Sequence, residues 1–176
     1  MFLYLAMIDS DADKSKFEIL YSEYKNLMYY TANRILRNSS DAEDTVHQAF
    51  LKVIEILDTI SSPRCHKTRA LLVTITEHKA IDLYREKQRR NVLPLAEEYV
   101  GAAPAAEIER LAERDTLAAA IAALPPRYRS VLLLRYDCGY SNAEIAKILD
   151  TTEPNVRKLI QRTKEKLSAA LSGMEE

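Results

Sequence analysis

Apolar residues recur every three or four positions along most of this chain, which is the spacing of one helix face and not of a strand. The longest such stretch covers about Lys14 to Leu36, and another covers about Lys67 to Arg90. Only 3 of the 176 residues are glycine, while alanine, leucine, isoleucine, glutamate, lysine and arginine form long runs. These residues favour helices. We therefore predict an all-α protein.

A segment near the middle of the chain lacks this periodicity. Residues 91–107 contain Pro94, Gly101 and Pro104, several acidic side chains and no sustained apolar spacing. Such a composition is typical of a flexible linker. The sequence thus predicts two small helical domains, at residues 1–92 and 108–176, joined by a linker at 93–107.

The stretch Ser141–Arg162 predicts a helix-turn-helix in the second domain. Ser141 and Glu144 have the spacing of a capping box, and Thr152 is a plausible cap for a second helix with Pro154 in its first turn. Apolar spacing then turns one face of the second helix inward and leaves a polar, basic face outward: Asn155, Arg157, Lys158, Gln161, Arg162 and Lys164. The arrangement indicates a helix that enters a DNA groove, although an amphipathic hairpin with a solvated basic face has the same pattern.

Charge is unevenly distributed, although the net charge is only −1. Residues 61–90 carry 8 basic and 3 acidic side chains, and residues 125–168 carry 9 and 5. Two basic blocks separated by acidic ones are expected of a protein that contacts phosphate at two places.

The first basic block ends the predicted helix 67–90 with Arg85, Lys87, Arg89 and Arg90 close together. Cations favour a helix C-terminus, but four within six residues exceed what the dipole needs. Tyr84 lies among them and could stack on an unpaired base. The open interpretations are a phosphate-binding surface and a solvated tail.

An acidic turn begins the predicted helix before it. Ser40 and Glu43 have capping-box spacing, and Asp41, Glu43 and Asp44 crowd the first turn. Compensation of the helix dipole would explain these carboxylates, and so would an exposed surface for a basic partner. The spacing alone does not decide between the two.

Catalytic and metal-binding patterns are not evident. Cys65 and Cys138 have no ligand spacing, and His47, His66 and His78 are scattered. No nucleophile–base pair or glycine-rich phosphate loop is found, so we expect neither an enzyme nor a cofactor. The apolar start MFLYLAMI is too short and lacks the basic flank of a signal peptide, so we expect a cytoplasmic protein without membrane insertion.

Four stretches together resemble the bacterial sigma-70 family of RNA polymerase sigma factors, of the extracytoplasmic-function (ECF) type. They are DAEDTVHQAFLKV (41–53), RALLVTITEHKAIDLYREKQRR (69–90), LPPRYRSVLLLRYDCGYSNAEIAKIL (124–149) and TTEPNVRKLIQRTKEKL (151–167). The resemblance implies an N-terminal domain that binds core RNA polymerase and melts the minus-ten promoter element. It implies a C-terminal domain that reads the minus-thirty-five element.

The resemblance also implies partners and site residues. Core polymerase would be bound at its β′ clamp helices by Asp41, Glu43, Asp44 and Gln48. The minus-ten element would be contacted by His78, Lys79, Asp82, Tyr84, Arg85, Arg89 and Arg90. The minus-thirty-five element would be contacted by Thr152, Glu153, Asn155, Arg157, Lys158, Gln161 and Arg162. Promoter DNA is the second partner, and an anti-sigma factor is the family's usual regulator.

The chain departs from the family pattern at several positions. His78 stands where asparagine is usual, Asp150 where glycine is frequent, Leu159 where arginine is frequent and Thr163 where alanine is frequent. These departures bear on promoter preference. The competing hypotheses are a free-standing helix-turn-helix regulator, which would dimerise on palindromic sites, and a helical adaptor that binds only protein.

Overall fold

A computed structural model describes residues 1–90 and 116–172 of the chain. All regular structure in these two ranges is helical, which confirms the predicted all-α class. The chain divides into two compact units, Met1–Glu97 and Glu98–Glu176. The predicted linker 93–107 lies outside the described residues. No helix within the described ranges is long and apolar enough to cross a membrane.

Three long helices form the N-terminal unit. A short helix α1 (Phe2–Leu5) is followed by α2 (Asp11–Leu36), α3 (Ser39–Glu55), a 3-10 turn (Leu57–Thr59) and α4 (His66–Arg90). Helices α2, α3 and α4 each pack against the other two. Their apolar faces, whose spacing is evident in the sequence, meet in one core that includes Phe17, Leu20, Met28, Phe50, Leu71, Leu72 and Ile75.

The apolar start of the chain belongs to this core through one side chain. Tyr4 of α1 is 8% exposed, and its ring lies 5.4 Å from that of Phe17 and 5.8 Å from that of Phe50. Its hydroxyl is 2.6 Å from Nδ1 of His47 on α3. Four residues cannot form a stable helix alone. Helix α1 is therefore held by Tyr4, and the sequence spacing did not predict it.

The cap of α3 differs from the prediction. Asn38, in an extended conformation, caps the helix: its Oδ1 accepts a hydrogen bond from the backbone N–H of Asp41 at 3.0 Å. Ser39 and Ser40 are already helical, so the predicted Ser40–Glu43 capping box is wrong. Asparagine caps as well as serine does, and spacing alone could not choose between neighbouring candidates. Asp41 consequently occupies the third helical position.

The C-terminal unit contains α5 (Thr116–Ala122), α6 (Pro126–Leu132), α7 (Asn142–Ile148) and α8 (Glu153–Ser172). Helix α8 packs against the other three. Pro126 begins α6, where its missing N–H costs nothing. The core side chains include Leu124, Val131, Leu134, Ile145, Ile148 and Val156.

Helix α6 continues into a π-helical turn, Leu133–Asp137. The N–H of Cys138 donates to the carbonyl of Leu133, five residues earlier, at 2.9 Å. The wider turn changes the register of the side chains by about one residue. Tyr136, which lies in this turn, is 58% exposed. Gly139 then ends the segment with φ +79°, as expected of a helix stop.

Candidate nucleic-acid and protein interfaces

The helix-turn-helix begins with the predicted capping box. The N–H of Glu144 donates to Ser141 Oγ at 3.2 Å, and the N–H of Ser141 donates to the Glu144 carboxylate at 2.7 Å. Hydrogen bonds from the side chain and then the backbone of Ser141 lower the pKa of the Glu144 carboxyl below its ordinary value. The start of α7 is therefore fixed by two reciprocal bonds.

The turn between α7 and α8 uses a left-handed residue other than glycine. Asp150 has φ +49°, and the next N–H, of Thr151, donates to the carbonyl of Ala146 at 2.9 Å. Aspartate tolerates this conformation better than most residues do, which explains how it can stand where the family often has glycine. Helix α8 begins at Glu153, directly after the predicted cap Thr152.

Helix α8 has the two faces that its spacing predicts. Val156 and Thr163 are fully buried. Six of the seven predicted contact residues are exposed, and Glu153 is half-buried; the exposed ones are Thr152, Asn155, Arg157, Lys158, Gln161 and Arg162. Arg157 pairs with Glu153 one turn earlier, with 2.5 Å between Nη2 and the carboxylate. Lys158 and Arg162 form no ion pair or hydrogen bond with any described residue. The exposed face of α8 therefore carries one cation held by an ion pair, Arg157, and two without a partner among the described residues, Lys158 and Arg162.

Two further lysines of α8 lie over aromatic rings that the sequence did not link to them. Nζ of Lys164 is 5.9 Å from the Tyr136 ring centre, and Nζ of Lys166 is 5.5 Å from that of Tyr128. These cation–π contacts join α8 to the segment containing α6. Tyr136 lies in the π-helical turn, so regular helical spacing alone would not have paired it with Lys164.

The C-terminal end of α4 projects a cationic surface. The side chains of Arg85, Lys87, Arg89 and Arg90 are exposed, and the fully buried positions of α4 end at Ala80. Arg90 pairs with Glu86 within the same helix. Arg85 and Arg89, one turn apart, form no ion pair with any described residue. They are the cations most available to phosphate.

The other predicted minus-ten residues occupy the same half of α4. His78, Asp82, Arg85 and Arg89 follow one another at intervals of three or four residues, so they share a face. His78 and Lys79 are half-buried and Asp82 is exposed. Tyr84 is half-buried, and its hydroxyl accepts a hydrogen bond from Gln88 at 3.0 Å. The structure brings this predicted set together on one helix.

At the acidic start of α3, three of the four side chains predicted to contact core polymerase are exposed. Glu43, Asp44 and Gln48 are exposed, and the last two are one turn apart. Asp41 differs because its side chain is only 18% exposed and pairs with Lys87 of α4. Lys87 was not among the predicted contact residues. The ion pair joins the acidic start of α3 to the cationic end of α4, which the sequence analysis considered separately.

No group of three or more histidine, cysteine, aspartate or glutamate side chains among residues 1–90 and 116–172 could hold a metal ion. The two cysteines are half-buried free thiols.

Comparison with known proteins assigns both units to one family. Residues 20–90 match the family model described as Sigma-70 region 2, and residues 114–167 match Sigma-70, region 4. The chain is 28% identical to the ECF RNA polymerase sigma factor SigW of Bacillus subtilis over 171 residues, covering 90% of each chain. It is 26% identical to the ECF RNA polymerase sigma factor SigL of Mycobacterium tuberculosis over 148 residues, covering 83% of each.

Among solved structures, the chain is similar to CnrH in its complex with the cytosolic domain of CnrY, with 26% identity, a TM-score of 0.40 and coverage of 89% and 88% of the two chains. The two family models and the curated relatives agree in kind and in order along the chain. The chain therefore belongs to the sigma-70 family and, within it, to the ECF RNA polymerase sigma factors.

Proposed function

We propose that this chain binds core RNA polymerase and directs it to promoters through two separate DNA contacts. One observation supports this proposal most directly. Each unit matches a sigma-70 family model and exposes two cations that form no ion pair with a described residue. They are Arg85 and Arg89 on α4, and Lys158 and Arg162 on α8. Sigma factors are initiation factors and not enzymes, so the proposed work of this chain is binding alone.

The C-terminal unit is proposed to place α8 in the major groove of the minus-thirty-five element. Lys158 and Arg162 are one turn apart and lack partners among the described residues, which suits them to phosphate contact. Asn155 and Arg157 are exposed near the helix start, where side chains of a recognition helix reach base edges. The ion pair with Glu153 would hold the Arg157 guanidinium in one orientation.

The N-terminal unit is proposed to bind and melt the minus-ten element with the second half of α4. Arg85 and Arg89 would follow the backbone of the non-template strand, and Tyr84 would stack on an exposed base. Holding unstacked bases favours the open state over the duplex, so strand opening needs no nucleotide hydrolysis. His78 lies on the same face, and its difference from the usual asparagine would alter promoter preference.

The acidic surface of α3, with Glu43, Asp44 and Gln48 exposed, is proposed to contact the β′ clamp helices of core polymerase. Exposed carboxylates contribute little to fold stability, which leaves this surface free to serve a partner. An anti-sigma factor that covers it would silence the chain. The family resemblance supports such a partner.

Run-off transcription with purified core polymerase tests the proposal. A library of promoters with randomised minus-ten and minus-thirty-five elements is transcribed with and without the chain. We expect specific transcripts only when the chain is present. Binding of the chain to DNA without stimulation of any promoter would instead favour a free-standing helix-turn-helix regulator and contradict the proposal.

A further inference from the structure

The ion pair between Asp41 and Lys87 joins residues 46 positions apart in the sequence. Lys87 Nζ lies 2.5 Å from both carboxylate oxygens of Asp41. The pair connects the first turn of α3 to the last turn of α4, and 18% of the Asp41 side chain is accessible. The Asp41 carboxylate is thus screened less by solvent than a fully exposed one, while the Lys87 side chain, 48% exposed, remains in contact with water.

The end of α4 has few other constraints. No residue of α4 after Ala80 is fully buried. Within residues 81–90 the other polar contacts are local, from Gln88 to Tyr84 and from Arg90 to Glu86. The Lys87–Asp41 pair is the one hydrogen bond or ion pair that ties this part of α4 to another helix among the described residues.

We infer that Asp41 is a positioning residue for the DNA-binding end of α4, acting through Lys87. By fixing the last turn of α4 against α3, the pair sets the direction in which Arg85 and Arg89 project. This inference rests on the proposed function, since it assigns the end of α4 to promoter DNA. It gives Asp41 a role different from those of Glu43 and Asp44, which lie in the same helical turn but stay exposed.

A charge swap tests this role in the full chain bound to core polymerase. The probe is one promoter selected by the wild-type holoenzyme, and strand opening is read from permanganate reactivity of unpaired thymines. Asp41→Lys and Lys87→Asp should each reduce the open-complex equilibrium constant about fivefold, which is the scale of coupling between residues in contact. The double variant, Asp41→Lys with Lys87→Asp, should recover most of that loss. Affinity for core polymerase should change less than twofold throughout.

The control uses Glu18 of α2, an exposed carboxylate outside the proposed interfaces. Combining Glu18→Lys with Lys87→Asp should show no recovery. If Asp41→Lys reduces core affinity and the swap does not restore it, Asp41 is a polymerase contact and the inference is wrong. If Lys87→Asp stays defective in the swap, Lys87 itself binds DNA and the inference is also wrong. Loss of thermal stability in both single variants without loss of strand opening would show a purely structural pair.

The outcomes separate this inference from the proposed function. A wild-type chain that stimulates no transcription contradicts the proposed function. A wild-type chain that is active but whose charge swap fails to recover contradicts only the role of the pair.

Discussion

Single residues stabilise the C-terminal unit, and the clearest case is the Ser141–Glu144 capping box. Its hydrogen bonds lower the pKa of the Glu144 carboxyl, so the ionised form is favoured in the folded chain. The stabilisation is therefore complete above the pKa that Glu144 has when unfolded, about 4.3, and is lost as pH falls through the lower folded pKa.

We expect Ser141→Ala to raise the pKa of Glu144 toward its ordinary value and to destabilise the C-terminal unit by about 1 kcal/mol. The carboxyl carbon shift of Glu144, followed by NMR during an acid titration, measures the first effect. Urea unfolding at neutral pH measures the second. Glu144→Gln is the control, because it removes the titration while keeping an acceptor. An unchanged titration midpoint in Ser141→Ala would contradict this account.

Arg129 is the second case, because an arginine with 1% exposure is unusual. Its Nη1 donates to the carbonyl of Ala122 at the end of α5, at 3.2 Å. Arg129→Ala removes buried volume and leaves that carbonyl without this donor. We expect a loss of about 3 kcal/mol in the free energy of unfolding.

Urea unfolding, followed by NMR signals of the C-terminal unit, measures this loss. The nearby exposed Arg127 supplies the control, since Arg127→Ala should change stability by less than about 0.5 kcal/mol. Equal effects of the two substitutions would show that burial of Arg129 is not what stabilises the unit.

At the scale of elements, the exposed cations of α8 are proposed to make two kinds of DNA contact. Lys158 and Arg162 have no partner among the described residues, whereas Arg157 is oriented by Glu153. We expect Lys158→Ala and Arg162→Ala each to reduce the salt dependence of promoter binding by about one unit of slope, equally for all sequences. Arg157→Ala should cost about 1–3 kcal/mol on the selected promoter and relax base preference.

Holoenzyme affinity measured over a range of salt concentrations on selected and mismatched promoters separates these effects. Lys25→Ala, in the N-terminal unit, is the control and should change neither quantity. A uniform loss from Arg157→Ala across all sequences would assign Arg157 to phosphate and not to a base.

Sequence-based prediction succeeded for some helices and failed for other local features. The long helices and the two faces of α8 follow from apolar spacing, because burial of one face dominates their energetics. Three features were not predicted, because the competing local conformations are close in free energy. They are the cap at Asn38, the π-helical turn and helix α1. The Lys87–Asp41 pair depended on how α3 and α4 meet, and no pattern along the chain contains that information.

At the scale of the whole molecule, the acidic surface of α3 is expected to join the chain to polymerase. Asp44→Lys should weaken binding to core polymerase about tenfold, because a reversed charge meets a complementary surface. Thermal unfolding should remain nearly unchanged, since Asp44 is exposed. Equilibrium binding to fluorescently labelled core polymerase measures the effect.

Glu18→Lys makes the same charge reversal on α2, at another exposed position, and should leave core binding intact. A large loss of thermal stability in Asp44→Lys would instead show that the carboxylate chiefly compensates the dipole of α3.

The π-helical turn at Leu133–Asp137 also affects how this chain should be aligned with its relatives. A π turn closes its hydrogen-bonded ring over one residue more than an α turn does. A related chain with one residue fewer at this point could therefore form a regular α-helix and still bring α7 to its place. Alignments across 133–137 should permit a single-residue gap, and positions before and after it should not be compared by helical spacing alone.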